Sequence, residues 1–329
     1  MTDAVKRGLV SVVVPSYNYA QFIVKRMDSL INQTYQDIEI LVIDDCSRDN
    51  SIEVLRRYES HPKVRLVVRE QNGGWVVVNN QGVEMSSGEF IIFAQCDDDC
   101  DPRMIERLVG AMKINPTAGI AFCRSLLVDE HDRLLGADFA GRERSFRTRC
   151  ATDTLVTGLE ISRFLLHSCV IPNLSAALIR RECFSTIGNF TSSYRVSGDW
   201  DWFFRVASRY DVAYVAEPLN RFRQHKTTIR SSTKGRVIYE EYFRLLLGQI
   251  KLLELTFFER CRLRTRVMYL WGAHLFSQPR AGLRNFPYHL SRIFQLDPLA
   301  LVFFVPGLVL CVIKIVGKAY NGSNRVKSA

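Results

Sequence analysis

Over its first 125 residues this chain alternates short β-branched runs with amphipathic stretches, and that regularity leaves few folds open. Residues 9–14 (LVSVVV), 38–43 (IEILVI), 64–68 (VRLVV), 89–95 (EFIIFAQ) and 118–123 (AGIAFC) read as strands. Between them, residues 20–32 place Phe22, Ile23, Met27, Leu30 and Ile31 on one helical side. Further helices are expected near 50–59 and 76–86, and from Pro102, a residue favoured in a first helical turn. Strands alternating with helices predict an α/β fold, a mostly parallel sheet flanked by helices on both faces. In such sheets ligands gather beyond the carboxyl ends of the strands. The pattern weakens over 126–172, where the polar, Arg-rich stretch 138–153 reads as loops over the sheet. It resumes with a strand at 174–180, a helix near 199–209, a strand at 212–216 and an amphipathic helix over 237–255.

Charge divides the chain. It carries 44 Lys and Arg against 34 Asp and Glu, a net +10. Residues 221–329 alone hold 19 basic against 5 acidic side chains, so the carboxy-terminal third carries more than the whole excess. Such asymmetry points to an anionic partner for that third. The nine cysteines include no CxxC pair, which gives a zinc-ribbon cluster no support. No apolar signal segment stands near Met1, where Asp3, Lys6 and Arg7 break up the apolar residues. A reduced cytoplasmic protein with buried free thiols is expected.

Three acidic groups carry the chemistry: Asp44-Asp45, Asp97-Asp98-Asp99, and Asp199 with Asp201. The first two follow apolar strands. Carboxylates crowded at a strand end repel one another unless a cation or hydrogen-bond donors offset them. Hard cations such as Mg²⁺ or Mn²⁺ take one or two carboxylates together with substrate phosphates, so a diphosphate is the natural third party. Solvated loops and helix caps, where Asp is common, are the plainer reading of any one pair.

The stretch 10–51, which opens VSVVVPSYNY and closes EILVIDDCSRDNS, resembles the amino-terminal signature of glycosyltransferase family 2. The resemblance continues through NGGWVVVNNQGVEMSSGEFIIFAQCDDDCDP (72–102) and ends at SGDWDWFFRVA (197–207), covering roughly the first 225 residues. It implies a GT-A fold, a catalytic domain over 1–225 with a nucleotide-sugar half (1–125) and an acceptor half (126–225), and an inverting, metal-dependent transfer from a nucleotide-diphosphate sugar. UDP is the nucleotide it favours. Pro15, Tyr17 and Asp45 match positions that hold the nucleotide base, with Asp44 beside them. Asp98, four before Pro102, matches the carboxylate that binds Mg²⁺ or Mn²⁺, and Asp97 the one nearer the ribose or the metal. Gln95 stands where the family often has Asp, so Asp97 and Asp99 form an alternative D-x-D pair. Asn79 stands where the family often has Arg and is placed with the donor-binding residues. Asp199 matches the general base, and His225 resembles a His that approaches the metal or diphosphate. Arg221 and Arg223 either contact phosphate or face water. Trp202 has the spacing of a core residue, and Trp200 is the candidate for shaping the acceptor pocket.

Residues 298–313 (PLALVFFVPGLVLCVI) are uncharged and mostly apolar. As a straight helix they span about 24 Å, short of the ~30 Å hydrocarbon core of a bilayer. A re-entrant or membrane-surface anchor, a marginal span extended to Gly317 and a helix buried in the protein all remain open. Arg260, Arg262, Arg264, Arg266, Arg280, Arg284 and Arg292 precede the segment, and Lys314, Lys318, Arg325 and Lys327 follow it. This favours the anionic cytoplasmic face of a membrane for the helical extension 226–329. A saccharide or lipid-linked acceptor, such as a precursor of a surface polymer, suits that placement. No nucleic-acid-binding motif is present. Two other readings stand beside the transferase: a nucleotidyltransferase, which would normally show a Gly-rich, Lys-bearing first loop, and a catalytically silent glycan-binding or membrane-scaffold module. No G-x-G-x-x-G follows the first strand and no P-loop is present, which argues against a Rossmann oxidoreductase and a P-loop enzyme.

Overall fold

Val10, Val12, Val13 and Val14 are fully buried, which consecutive strand residues achieve only at the centre of a sheet covered on both faces. The computed structural model, which describes residues 5–142, 144–226, 228 and 232–313, puts them there. Ten strands form one mixed sheet: β1 (Lys6–Ser16), β2 (Ile38–Asp44), β3 (Val64–Val68), β4 (Gly88–Phe93), β5 (Asp99–Cys100), β6 (Ala118–Val128), β7 (Leu134–Ala137), β8 (Thr154–Val156), β9 (Ala177–Arg180) and β10 (Asp211–Arg223). Their order is β3-β2-β1-β4-β9-β6-β10-β5, with β7 on β6 and β8 on β10. β1 pairs parallel with β2 and β4, and β2 parallel with β3. β9 is antiparallel to both of its neighbours, β4 and β6. This is the expected α/β architecture, with strand β10 running well past its expected end to Arg223.

Helices α1 (Ala20–Ile31), α2 (Ser51–Arg56), α3 (Gly74–Met85) and α4 (Met104–Ile114) connect the first strands. Ile23, Met27 and Leu30 of α1, Val54 and Leu55 of α2, and Ile105, Leu108 and Met112 of α4 share one core with Val10, Val12, Ile40, Val42 and Ile92 of the sheet. The stretch expected to be loops contains a short helix, α5 (Arg144–Arg149), whose Phe146 is buried. α6 (Gly158–Leu165), α7 (Glu182–Ile187) and α8 (Gly198–Ala207) follow. Phe184, Phe190 and Trp202 form an aromatic cluster with Phe93 of β4, and the Trp202 and Phe184 rings stack at 4.7 Å. Trp202 is thus the core residue its spacing implied. Trp200 is also buried, and its indole N–H donates to the Leu165 carbonyl.

The chain divides into two compact units, Met1–Ser193 with Gly198–Lys226, and Tyr194–Ser197 with Thr227–Ala329. The second is helical: α9 (Gly235–Leu252), α10 (Phe257–Ser277), α11 (Pro279–Leu296), a 3₁₀ turn (Pro298–Phe303) and a helix over 304–313. Thr256 and Glu259 form a capping box that starts α10, and Pro279 sits in the first turn of α11. Phe243, Leu246, Val267, Met268, Trp271 and Ile293 make its core. Within this unit the buried Glu241 carboxylate accepts the backbone N–H groups of Arg195 (2.6 Å), Val196 (2.9 Å) and Ser197 (2.9 Å). No helix among the described residues is long and apolar enough to cross a membrane. The continuation through Lys314 to Gly317, and Lys318, Arg325 and Lys327, lie outside the described residues. All nine cysteines are free thiols.

Candidate active site

Ser16, Asp44 and Val68 stand abreast at the carboxyl ends of β1, β2 and β3, so the first acidic pair emerges there. The buried Asp44 carboxylate accepts hydrogen bonds from Ser16 Oγ (3.1 Å), the Ser47 N–H (2.8 Å) and Ser47 Oγ (2.6 Å). Asp45 turns the other way. Its carboxylate accepts Arg69 Nε (2.9 Å) and the N–H groups of Gly73 (2.9 Å) and Gly74 (2.8 Å). Those amides open α3, where a negative charge is favoured by the helix dipole. Gly74 has φ +77°, a left-handed conformation that costs other residues but not glycine. Pro15 and Tyr17 lie on the loop after β1, with Tyr17 40% exposed. That loop is stitched to the one after β2. Asn18 N–H donates to Ser47 Oγ (2.9 Å), and Arg48 N–H to Asn18 Oδ1 (2.7 Å).

The second acidic turn follows β4. Asp98 is buried, and its carboxylate accepts Asn173 Nδ2 (2.8 Å) and the Arg223 N–H (2.9 Å). Burial, and then the charge of Asp97, push its carboxyl up to about 7. Asp97 Oδ2 lies 2.9 Å from His225 Nε2. The His225 ring packs against Tyr19 (5.6 Å) and Phe22 (5.5 Å). Burial, then Asp97, also drives the Tyr19 hydroxyl far above its ordinary range. Asp99 meets three cations: Lys25 (3.2 Å), Arg221 (3.2 Å) and Arg223 (3.3 Å). Arg223 does not face water. It is buried, with Nε on the Asp97 carbonyl (2.7 Å), Nη1 on the Asp129 carbonyl (2.7 Å) and Nη2 near Asp132 (2.7 Å). Among the described residues no three His, Cys, Asp or Glu side chains form a ready cage for a metal ion.

Arg26 is the residue that sequence reasoning missed. It is fully buried on α1, and its Nε donates to the Gln95 carbonyl (3.0 Å) while Nη1 and Nη2 have no hydrogen-bond partner. Its charge lies close enough to Asp98 to oppose that carboxyl's upward shift. A signal existed. Arg26 is four residues after Phe22 and four before Leu30, which puts it on the apolar side of the helix. Asn79, on the sheet-facing side of α3, is also fully buried, and neither of its polar atoms has a partner.

Asp199 lies in the first turn of α8, half-buried. The residue before it, Gly198, is flush against Trp75: a Cβ there would fall 2.7 Å from the indole. Trp75 directly follows the two amides that hold Asp45. The amino end of α3 is therefore a wall shared by the first acidic turn and the start of α8. Asp201 instead pairs with Arg205 (3.1 Å) along α8. A separate cleft of 890 Å³, lined by Arg7, Glu84, Ser86, Arg180 and Arg181, lies at the amino ends of β1 and β4 and takes no part in this site.

Residues 11–188, more than half of the chain, match the model of the family described as Glycosyl transferase family 2. The chain is 37% identical over 117 residues to the uncharacterized glycosyltransferase YibD of Escherichia coli, a match spanning 35% of this chain and 33% of that protein. It is 28% identical over 232 residues to the glycosyltransferase GlyG of Streptococcus pneumoniae, spanning 67% and 72%. In structure it is similar to S. aureus TarS 1–349 solved with UDP-GlcNAc, at 16% identity and a TM-score of 0.65, covering 91% of this chain and 89% of that one.

Proposed function

This chain belongs to glycosyltransferase family 2, and on that premise we propose that it moves a sugar from a nucleotide-diphosphate sugar, UDP-linked, to a hydroxyl of a saccharide or lipid-linked acceptor, with inversion at the anomeric carbon. The UDP-GlcNAc in the TarS structure supports the choice of nucleotide. The observation that carries the reading is the shared wall at the amino end of α3, which joins the Asp45 turn to Asp199 through Trp75 and Gly198.

Pro15 and Tyr17 flank the base. The Asp45 carboxylate has about four acceptor sites and three donors on it, so it retains capacity for one more N–H, that of the base. Asp44 holds the loop beneath. Asp98, with Asp97 and His225 beside it, is the proposed metal-binding carboxylate. Two close protein donors fit an ion whose other ligands come from phosphate. Mg²⁺ or Mn²⁺ supplies charge neutralisation for the diphosphate leaving group when bound. Asp99, already paired with three cations, holds Arg221 and Arg223 in place. In the reaction, the acceptor hydroxyl attacks the anomeric carbon opposite the departing diphosphate. The new C–O bond forms as the bond to phosphate breaks, and Asp199 takes the hydroxyl proton.

A thermal-shift panel of nucleotide sugars, with and without Mn²⁺, tests the donor; a shift for none of them counts against the reading. Asp199→Asn should lower turnover ~10²–10⁴-fold, the usual worth of a general base, while leaving donor affinity nearly unchanged. An equal loss of donor affinity would remove Asp199 from the acceptor side.

A further inference from the structure

The second unit presents an apolar surface that none of its described residues covers. The segment 298–313 has two faces. Ala300, Gly307 and Cys311 are buried, with Gly307 so close to α10 that a Cβ would fall 2.5 Å from Met268, and Phe304 5.1 Å from Trp271. The opposite face is as apolar as the inner one: Leu299, Val302 (72% exposed), Val305, Val309 and Val312 follow one another at helical spacing. Along α11, Leu283, Leu290 and Phe294 form a second exposed stripe seven and four residues apart. Phe258, in the first turn of α10, is 81% exposed. A helix in contact with water normally turns a polar face outward, and a contiguous apolar face of this kind marks an interaction surface.

Charge selects the partner. Four of the acidic side chains of this unit are engaged internally: Glu240 by Arg292 and Tyr288, Glu241 by the amides of 195–197, Glu259 in its capping box and Asp297 by Arg264. Lys251, Arg260, Arg262, Arg280 and Arg284 are exposed. The unit thus shows water an aliphatic face within a field of positive charge, the complement of an anionic lipid surface. Geometry selects the mode. A sixteen-residue segment whose inner face is packed on α10 is too short and too engaged to cross a bilayer.

We propose that the second unit docks in the plane of an anionic bilayer, with the outer face of 298–313 and the α11 stripe entering the boundary between headgroups and acyl chains and the exposed arginines meeting lipid phosphates. The inference deepens the acceptor part of the proposed function and rests on that reading for its purpose, because a lipid-linked acceptor resides in such a surface.

The test uses the full chain and vesicles of phosphatidylcholine, alone or mixed with phosphatidylglycerol. Flotation should show binding to the mixed vesicles, weakened by salt. The triple variant Val302→Ser, Val305→Ser, Val309→Ser and the double variant Leu283→Ser, Phe294→Ser should each reduce the bound fraction at least about tenfold. Arg280→Gln with Arg284→Gln should abolish the preference for the anionic lipid. These positions are exposed, and a donor-induced thermal shift equal to that of the parent shows that each variant is folded. Equal flotation of parent and variants overturns the proposal, as does binding without lipid preference. A parent that self-associates without lipid, through a contact the same variants break, overturns it in favour of a second copy. A chain that ignores vesicles yet is shifted by a nucleotide sugar loses the docking surface and keeps the transferase; a chain that floats and responds to no donor does the reverse.

Discussion

Asp44 and Asp45 close β2 with each carboxylate engaged by three protein donors, whereas after β4 burial, and then the charge of the neighbouring Asp97, raise the Asp98 carboxyl. In sequence the two turns look alike: an apolar strand, then consecutive aspartates. In the fold the first is a finished piece of structure. Serine hydroxyls, an arginine and the opening amides of α3 hold it, and its charge shapes the pocket it borders. The second keeps a surplus of negative charge that the protein only partly offsets, through Arg26 below and Arg223 alongside. Unrelieved repulsion costs stability, and the proposed divalent cation would relieve it.

Substituting one aspartate from each turn breaks this comparison most directly. Asp97→Asn should lower transfer about 10²–10³-fold, the usual cost of removing one electrostatic contact to a developing charge, and should change the melting temperature little, because relief of repulsion offsets the weakened His225 contact. Asp44→Asn should do the opposite. It disturbs a buried carboxylate with three donors, at a cost of about 1–3 kcal/mol, or roughly 2–4 °C per kcal/mol in a domain of this size. Activity per folded molecule should fall far less. Activity assays beside thermal melts decide it; matching profiles for the two variants would erase the distinction.

The sequence alone foretold the α/β frame because each early strand is a dense apolar run and each helix has one apolar side. It also marked both acidic turns, since strand ends are where such sheets bind. It could not distinguish them. The donors on Asp44 and Asp45 are backbone amides, hydroxyls and the Arg69 guanidinium, whose aim depends on φ at Gly74 and on the stitching of two loops. β5, β7 and β8 are two to four residues long and carry too little pattern to see. The extension reads as helical, but α10 and α11 do not stand out within it because exposed apolar residues interrupt their polar faces: Phe257, Phe258, Leu283 and Phe294 face outward among Arg260, Arg262, Arg280 and Arg284. Glu241 gave no signal either, as its three partners are amides more than forty residues earlier.

Acidity sharpens the comparison further. The Asp98 carboxyl titrates near 7 in the fold, against about 4 in an unfolded chain. Between those values the folded state binds more protons than the unfolded one, so this group's contribution to stability declines as pH rises from about 4 to about 7 and is level above. In chelator, the melting temperature of Asp98→Asn relative to the parent should therefore climb across that window and then plateau. Arg26→Met should move the parent's midpoint upward, because the arginine opposes the shift. A flat difference for Asp98→Asn from about pH 4 to about pH 8 would mean that the charge of the second turn is already neutralised within the fold.

The smallest expected effect belongs to Asn79, between the two turns on the buried side of α3. A buried amide with neither polar atom paired is a cost the fold carries in the absence of ligand. Asn79→Leu keeps the branched four-heavy-atom outline of the side chain, adds methyl bulk, and removes both orphaned atoms. Replacing unpaired polar atoms by apolar ones of like shape is neutral or stabilising, so the variant should melt at the same temperature or slightly higher, by about 1 kcal/mol at most. If Asn79 serves the donor, as its position in the motif implies, the same substitution should weaken donor binding severalfold with little change in the rate from the bound state. A variant that gains stability at no cost in donor affinity would class Asn79 with the packing of α3, and the first turn would then stand complete without it.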